Sequence, residues 1–230
     1  ETANVYAFVR YLSSRLPENS LTAVSNGACC VVGNQAYVIQ KGSRMANNSA
    51  VASMGYGLPA AIGACVANDR KDTICIEGDG SIMMNLQELQ TVLTNKLPIK
   101  LFLINNQGYH SIRQTQNNLF SNHCKVGIGP ESGDLSFPEF EKLSQAFGYT
   151  YYQAHSNEEM KKAVDKTLAE DRLLFHMYRY FLIQVNLLAL VDKTEARLFL
   201  YLEKNLLYCL VINVQRQLCL LRIDRGRDLK

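Results

Sequence analysis

Two stretches organise this chain: Thr73-Ile74-Cys75-Ile76-Glu77-Gly78-Asp79-Gly80-Ser81 and Ile99-Lys100-Leu101-Phe102-Leu103-Ile104-Asn105-Asn106. Each begins with an apolar run that predicts a buried strand and ends in small polar residues typical of turns. Residues 83–95 between them have the apolar spacing of an amphipathic helix. A helix of this length is the usual crossover between parallel strands, and it brings Asp79 and Asn106 to the same edge of the sheet. In open α/β sheets, ligands bind at that edge.

The rest of the chain, as far as residue 170, continues this alternation of helices and strands. The spacing predicts helices over residues 4–16, 58–67, 137–147 and 158–168, and strands over residues 21–24 and 149–153. Residues 31–39 also have short strand-like or buried character, whereas residues 107–130 indicate a polar loop. Such alternation predicts an α/β fold with a doubly wound, mostly parallel sheet and helices on both of its faces.

The composition is that of a globular protein, with 47% hydrophobic and 20% charged residues among 230. Because the net charge is only +3 and the basic residues are scattered, we expect no nucleic-acid partner. The chain has no apolar run long enough to span a membrane and no signal-peptide pattern, so we expect a cytoplasmic protein. Its seven cysteines contain no C-x-x-C pair, which argues against zinc and against a disulfide framework.

The two organising stretches resemble the signature of the thiamine-diphosphate (ThDP) enzymes, a Gly-Asp-Gly followed after one helix and one strand by a paired Asn. The segments Met84-Asn85-Leu86-Gln87-Glu88-Leu89 and Leu97-Pro98-Ile99-Lys100 are similar to the acetolactate-synthase branch. Over roughly residues 4–170, the chain therefore resembles the C-terminal diphosphate-binding domain of an acetolactate synthase large subunit. The resemblance implies the ThDP-binding fold.

The same resemblance implies a site for Mg²⁺ and the cofactor's diphosphate. Asp79, Asn106 and the backbone carbonyl of Gly108 would bind the metal, which prefers oxygen ligands in octahedral geometry. Backbone amides at Gly80 and Ser81 would face the phosphates at the start of the following helix. The complete set of expected cofactor-binding residues is Gly27, Ala28, Ser53, Met54, Gly55, Gly78, Asp79, Gly80, Ser81 and Asn106.

Two further segments complete this expected site. Residues 48–59 resemble the segment that lies along the pyrimidine ring, where Met54 would support the bent shape of the cofactor. At Gly27 and Ala28 the sequence departs from the family, which usually has polar side chains there. Their backbone amides would still bind phosphate oxygens, although an ordinary structural loop is an equal alternative.

The segment after the paired Asn borders the substrate end of the site in one branch of the family. His110 is a candidate for proton transfer near neutral pH, and Arg113 is a candidate partner for a carboxylate. Gln114 is the third candidate in this segment. The alternative interpretation is an exposed, solvated loop.

Two other enzyme classes have partial signatures. Residues 55–60 partly match the dinucleotide fingerprint G-x-G-x-x-A, with Glu77 at about the distance of a ribose-binding acid, but no hydrophobic strand directly precedes them. A hydrolase would use Ser53, but Val51 occupies the place of the first glycine in G-x-S-x-G. Both interpretations are weaker than the ThDP site.

The resemblance implies that residues 1–171 form the ThDP and Mg²⁺ domain of a 2-oxo-acid decarboxylase or carboligase. Its expected partners are a pyrimidine-binding domain or subunit, further copies in a homo-oligomer, and a small 2-oxo acid. The alternative is a noncatalytic or incomplete module, inactive until a pyrimidine-binding partner completes it. Residues 172–230 are an atypical tail without the family's closing strand, and we expect it to be frame-shifted or poorly ordered.

Overall fold

A single six-stranded sheet forms the centre of the molecule. The computed structural model describes residues 3–120 and 125–170, and the backbone of residues 176–181. All strand pairs are parallel. The strands are β1 (Leu21–Val24), β2 (Arg44–Asn47), β3 (Thr73–Gly78), β4 (Ile99–Asn105), β5 (Thr150–Ala154) and β6 (His176–Phe181), in the order β2-β1-β3-β4-β6-β5 across the sheet.

Eight α-helices and one 3-10 turn lie among the described residues, and the helices cover both faces of the sheet. Among these helices, none has the length and apolar character that a membrane crossing requires. The elements are α1 (Val5–Arg15), α2 (Ala28–Ala36), α3 (Gly57–Ala67), α4 (Asp79–Ile82), α5 (Glu88–Thr94), α6 (His110–Phe120), the 3-10 turn Pro130–Ser132, α7 (Phe140–Ala146) and α8 (Asn157–Ala169).

The alternating side chains of the strands divide the core into two clusters. On β3, Ile74 and Ile76 pack with residues of α1, α2 and α8, whereas Cys75 points to the opposite face and packs with residues of α3 and α5. Successive side chains of a strand point to opposite faces, so a sheet with helices on both sides needs apolar residues at every position. The predicted doubly wound α/β fold is therefore confirmed.

Two predictions of secondary structure are wrong. Residues 31–39 do not form a strand, because most of them belong to α2, whose buried residues Cys29, Cys30, Val32 and Gly33 face the core. Residues 107–130 are not simply a loop, because they contain α6. Only three of its eleven residues are apolar, Ile112, Leu119 and Phe120, and its one buried residue is the polar Gln116. This polar composition favours the interpretation as a loop when the sequence is considered alone.

The tail differs from its prediction at one place. The sequence predicts no strand after residue 171, whereas the backbone of His176–Phe181 forms β6 between β4 and β5. Aromatic residues are common in strands, and Tyr178, Tyr180 and Phe181 occur in this segment. Residues 182–230 lie outside the described part of the chain, and the shifted reading frame stays a prediction.

Candidate cofactor and metal site

The candidate site lies at the carboxyl ends of β1, β3 and β4. After β1 the chain moves outward to β2, and then it returns to the other side of β1 to form β3. The order of the strands thus reverses between β1 and β3. These two strands are paired so that Val24 lies beside Ile76. A crevice at such a reversal is the usual ligand site of an open α/β sheet. The predicted residues that follow these strands therefore lie at the expected place.

Asp79 is the buried acid of this crevice, with only 2% of its surface exposed. Its Oδ2 accepts a hydrogen bond from the amide of Gly108 (2.8 Å), and its Oδ1 accepts one from the amide of Gly80 (2.9 Å). Burial raises the pKa of Asp79 to about 6, although these amides and the charge of Arg113 oppose the rise. A cation bound to the carboxylate would favour its ionised form.

Asn106 and the carbonyl of Gly108 lie next to this carboxylate. One terminal atom of the Asn106 amide is 3.3 Å from Asp79 Oδ1 and 2.5 Å from the carbonyl oxygen of Gly108. If that atom is the amide nitrogen, it donates hydrogen bonds to both oxygens. If it is the amide oxygen, it forms a group of three oxygens with Asp79 Oδ1 and the Gly108 carbonyl. Mg²⁺ binds oxygens at about 2.1 Å in octahedral geometry, so neighbouring ligands lie about 3 Å apart. The spacing of this group fits such a cation.

No cluster of three or more His, Cys, Asp or Glu side chains suited to a metal occurs in the described part of the chain. A metal site in this region therefore depends on amide and carbonyl oxygens beside a single carboxylate. Mg²⁺ in proteins is commonly held in this way, by one or two carboxylates together with phosphate oxygens and water.

The loop that carries these ligands has an unusual backbone. Asn105 accepts a hydrogen bond from the amide of Gln107 (3.0 Å), which turns the chain directly after β4. Gln107 has φ +58° and Gly108 has φ +135°. A Cβ at Gly108 would overlap the carbonyl oxygen of Ile128. Only glycine fits there, so the sequence requires this residue for steric as well as for conformational reasons.

The amino terminus of α2 is the expected phosphate-facing element after β1. Gly27 has φ +61° and precedes α2 without a side-chain cap. The first amides of a helix have no partner within it, and together with the helix dipole they favour an anion. The predicted contacts at Gly27 and Ala28 are thus placed at an uncapped helix end.

The amides predicted to meet the diphosphate after β3 are partly used within the protein. Gly80 donates to Asp79, as described above, and the ring of Tyr109 lies against its Cα. The amide of Gly78 donates to Glu77 Oε1 (3.2 Å). The hydroxyl of Ser81 accepts from the amide of Gly55 (2.7 Å), so its side chain also faces the protein interior.

The predicted pyrimidine segment combines a fixed backbone with exposed side chains. Gly55 is buried, and its carbonyl accepts a hydrogen bond from Asn85 Nδ2 (2.5 Å) in addition to the contact of its amide with Ser81. Met54, in contrast, is 43% exposed, and Ser53 is also exposed. Exposed apolar groups beside an anchored backbone are suited to contact with a bound molecule or a second domain.

Glu77 is a buried acid beside the candidate site, and the sequence suggested for it only the ribose-binding role of the dinucleotide interpretation. It is completely buried, and its Oε2 accepts a hydrogen bond from the amide of Leu58 (3.0 Å). Burial raises the pKa of Glu77, while hydrogen bonds from Ser25, Gly78, Ser81 and Leu58 oppose that rise. The signal in the sequence is an acidic residue inside the apolar run of β3.

Arg113 already has partners inside the protein. It donates to the carbonyl of Gln107 (2.9 Å) and pairs with Glu131 (3.0 Å). Nδ1 of His110 lies 3.4 Å from the Arg113 guanidinium, whereas its Nε2 is buried without a hydrogen-bond partner. Burial and the nearby Arg113 lower the pKa of His110. Gln114 lies partly buried on α6. Arg113 therefore holds the loop of residues 106–108 and already pairs with a carboxylate of the protein.

The geometry weakens both competing enzyme classes. Glu77 is buried against Leu58 and does not face a crevice where a ribose would bind. Ser53 Oγ accepts a hydrogen bond from Asn48 Nδ2 (3.3 Å), and a neutral amide cannot act as the base of a hydrolase.

Comparisons with known proteins agree with this geometry. The family model described as "Thiamine pyrophosphate enzyme, C-terminal TPP binding domain" matches residues 25–176. The acetolactate synthase isozyme 2 large subunit of Escherichia coli is 32% identical over 169 residues, which cover 73% of this chain and 30% of the relative.

Two relatives from other lineages show the same pattern. The acetolactate synthase large subunit of Porphyra purpurea is 36% identical over 127 residues, 54% of this chain and 20% of the relative. Acetolactate synthase 3, chloroplastic, of Brassica napus is 35% identical over 136 residues, 58% of this chain and 21% of the relative. The matched region thus spans less than a third of the length of any of these proteins.

Proposed function

The chain belongs to the thiamine pyrophosphate enzymes, with the match lying in their C-terminal TPP binding domain, and on this basis we propose that it binds ThDP together with Mg²⁺ in the crevice between β1 and β3. The observation that carries the proposal is the convergence of Asp79 Oδ1, the Asn106 amide and the Gly108 carbonyl. These three groups would hold the metal, and the metal would neutralise the diphosphate.

The diphosphate would lie between the metal and the amino terminus of α2. Gly27 and Ala28 offer uncapped helix amides at one side of the crevice. On the other side, Gly78, Gly80 and Ser81 lie next to Asp79 at the start of the short helix α4, where the ring of Tyr109 covers Gly80. Phosphate would therefore meet both metal and backbone dipoles, which is the usual arrangement for an anion in such a crevice.

The pyrimidine end of the cofactor would lie along Ser53, Met54 and Gly55. The two hydrogen bonds that anchor Gly55 support this placement, because they fix the backbone and leave Met54 facing outward. Met is flexible and fills irregular gaps well, so it suits a position that supports a bent ligand.

The similarity to acetolactate synthase large subunits supports a wider proposal for the complete protein. We propose that this domain is the C-terminal part of a 2-oxo-acid decarboxylase or carboligase that acts as a homo-oligomer. ThDP supplies the carbanion-stabilising chemistry when bound, and the residues of this chain bind it, orient it and keep its metal in place. A pyrimidine-binding domain or subunit would supply the remaining half of the site.

Three of the cysteines, Cys29, Cys65 and Cys75, are buried free thiols. Free thiols persist in reducing compartments, so they support the proposal that the protein works in the cytoplasm.

Calorimetric titration of the purified chain with pyrophosphate or ThDP tests the proposed binding. We expect binding that requires Mg²⁺, and no binding at saturating Mg²⁺ would contradict the proposal.

A pyruvate-consumption assay then separates the enzyme from the noncatalytic alternative. We expect no turnover by the chain alone and turnover after a pyrimidine-binding domain is added. That domain would supply the carboxylate that assists proton transfer on the pyrimidine ring, and such proton transfer is typically worth about 10² to 10⁴ in rate.

A further inference from the structure

Glu77 is a buried carboxylate for which the proposed function has no direct use. It lies on β3, immediately before Gly78, and none of its surface is exposed. Its two oxygens accept hydrogen bonds from different segments, with Oε2 bound to the amide of Leu58 and Oε1 to that of Gly78. Burial of an acid costs free energy unless hydrogen bonds compensate it, so packing alone does not explain an acid at this position.

The first of these contacts fixes the start of α3. Leu58 is the second residue of the helix, and its amide has no partner within the first turn. Tyr56 at the N-cap position provides no side-chain cap. Glu77 therefore caps α3 from a neighbouring strand. The chain also passes directly over the carboxylate, because a Cβ at Gly57 would overlap Glu77 Oε2.

A second set of bonds joins the same two segments through Ser81. Its hydroxyl accepts from the amide of Gly55 (2.7 Å), donates to Asn26 Oδ1 (2.8 Å) and lies 2.9 Å from Ser25 Oγ. Asn26 Nδ2 in turn donates to the carbonyl of Ala52 (3.1 Å). The loop after β1, the segment of residues 52–58 and the loop after β3 thus share one buried polar network.

We propose that Glu77 is a positioning residue that sets the pyrimidine segment, residues 52–58, at a fixed distance from the metal loop of residues 78–81. The proposal rests on the proposed function, because only a ligand that spans both segments needs that distance. Glu77 does not touch the cofactor. It holds the backbone of Leu58 on one side and that of Gly78 on the other, and the two ends of a cofactor would contact the residues next to these.

The proposal predicts a specific change when Glu77 is replaced by Gln. The shape of the side chain is kept, but one of its two acceptors becomes a donor that faces a backbone amide of Leu58 or Gly78. The pyrimidine segment should then lose its fixed position, while the contacts of Asp79 with Gly80 and Gly108 remain. A residue with a merely structural role would weaken all ligands to the same extent.

The test compares two ligands on the full chain, ThDP and inorganic pyrophosphate, each titrated with Mg²⁺ and followed by NMR, which detects weak binding. We expect the wild-type chain to bind ThDP more tightly than pyrophosphate. In Glu77→Gln the affinity for ThDP should fall about tenfold, as is typical when a supporting contact is lost, and that for pyrophosphate less than about twofold. Glu141→Gln, an exposed change on α7, is the matched control and should alter neither.

Each other outcome decides against one of the two proposals. Equal loss of both ligands in folded Glu77→Gln, or no loss of either, would overturn the positioning role. A wild-type chain that binds pyrophosphate and ThDP equally would overturn it as well, but would leave the diphosphate site intact. Absence of Mg²⁺-dependent pyrophosphate binding to the wild type would reject the proposed function itself, and the positioning role with it.

A second variant keeps the test decisive where Glu77→Gln does not fold. Ser25→Ala removes one hydroxyl that hydrogen-bonds with Glu77 and lies beside Ser81. It should weaken ThDP about fivefold relative to pyrophosphate, because Glu77 loses one of the hydrogen bonds that hold its carboxyl group in place. Hydrogen exchange at the amides of Gly55 and Leu58 should quicken in the same variant. An unchanged affinity ratio and unchanged exchange would overturn the proposal.

Discussion

The two ends of the candidate site differ in how much of each the chain itself supplies. At the metal end, Asp79 is buried, and backbone amides of Gly80 and Gly108 hold both of its oxygens. At the pyrimidine end, Val51 and Met54 remain 75% and 43% exposed. Contacts within the protein fix the first end, whereas the second presents apolar surface that is open to a further group.

This difference follows from the kind of interaction that each part of the ligand would need. A divalent cation and a diphosphate need charges and dipoles at fixed positions, and rigid buried groups supply them best. A ring needs mainly apolar area, which a second surface can complete from the other side. Changes at the metal end should therefore affect every phosphate ligand, while changes at the pyrimidine end should affect ThDP alone.

The largest effect should come from Asp79→Ala at the metal end. The change removes the single carboxylate of the group and leaves the metal with neutral oxygens. We expect Mg²⁺-dependent affinity for pyrophosphate and for ThDP to fall roughly 100-fold or more, measured by titration calorimetry.

Asp72→Ala is the control for Asp79→Ala, because Asp72 is an exposed residue next to the start of β3 that pairs with Lys100. It should leave both affinities unchanged. Unaltered binding by Asp79→Ala would reject the metal assignment, and a loss confined to Asn106→Ala would show that the amide is the more important ligand.

Gly108→Ala should have the next largest effect, because it displaces a ligand without removing a charge. A Cβ at this position would overlap the carbonyl oxygen of Ile128, and alanine resists φ +135°. The loop would have to shift, and the Gly108 carbonyl with it. We expect a loss of about 10- to 100-fold in Mg²⁺-dependent pyrophosphate affinity.

Gly133→Ala is a control that separates the effect of backbone strain from the effect of displacing the Gly108 carbonyl. Gly133 has φ +72°, but a Cβ there would meet no atom within 4 Å. This control should cost some stability and no affinity. Equal affinities for pyrophosphate in Gly108→Ala and the wild type would mean that the Gly108 carbonyl is not a ligand.

The metal end was also the more predictable of the two ends from sequence. Asp79 and Asn106 each follow an apolar run, and the rule that parallel strands end at one edge is enough to bring them together. The connecting elements were harder to predict. The valines of α2 indicate a strand when considered alone, and the parallel crossover from β1 to β2 overrides that preference.

Other features depend on contacts that no local pattern records. Strand β2 has only four residues, none of them fully buried, so it has no apolar signature. The partners of Glu77 come from residues far along the chain, among them Leu58 and Ser25. Long-range polar networks of this kind become visible only when the fold is known.

A third prediction concerns the cost of keeping Asp79 buried in the metal-free chain. Its pKa is about 6 in the folded protein, above the ordinary value of 3.8 for an aspartate, so folding favours the protonated form. The resulting stability is fully present below about pH 4 and is lost as the pH rises through 6. In Asp79→Asn the new amide donor faces the amide of Gly80 or Gly108, which has a cost that does not vary with pH. Because this variant cannot ionise, the stability of the wild type relative to it should fall by about 1 to 2 kcal/mol between pH 4 and pH 8.

Urea unfolding in a metal chelator at several pH values measures this difference. The difference between wild type and Asp79→Asn should change by this amount between pH 4 and pH 8, and Mg²⁺ with pyrophosphate should stabilise only the wild type. The same change in unfolding free energy at pH 4 and pH 8 would contradict the assignment of the cost to ionisation. Asp72→Asn serves as the exposed control.

The smallest effect should come from the pyrimidine end, in Met54→Ala. Because the side chain is 43% exposed, its truncation should change the free energy of unfolding by less than about 0.5 kcal/mol. It removes apolar area that would cover one side of the pyrimidine ring, and each buried methylene is worth about 0.8 kcal/mol. We expect ThDP affinity to fall about threefold in the chain alone and more once a pyrimidine-binding domain encloses the ring.

Affinity for pyrophosphate should not change in either case. Val66→Ala, an exposed apolar change near the end of α3, is the control and should affect neither ligand. A matching loss for pyrophosphate would place Met54 at the metal end and remove the contrast between the two ends.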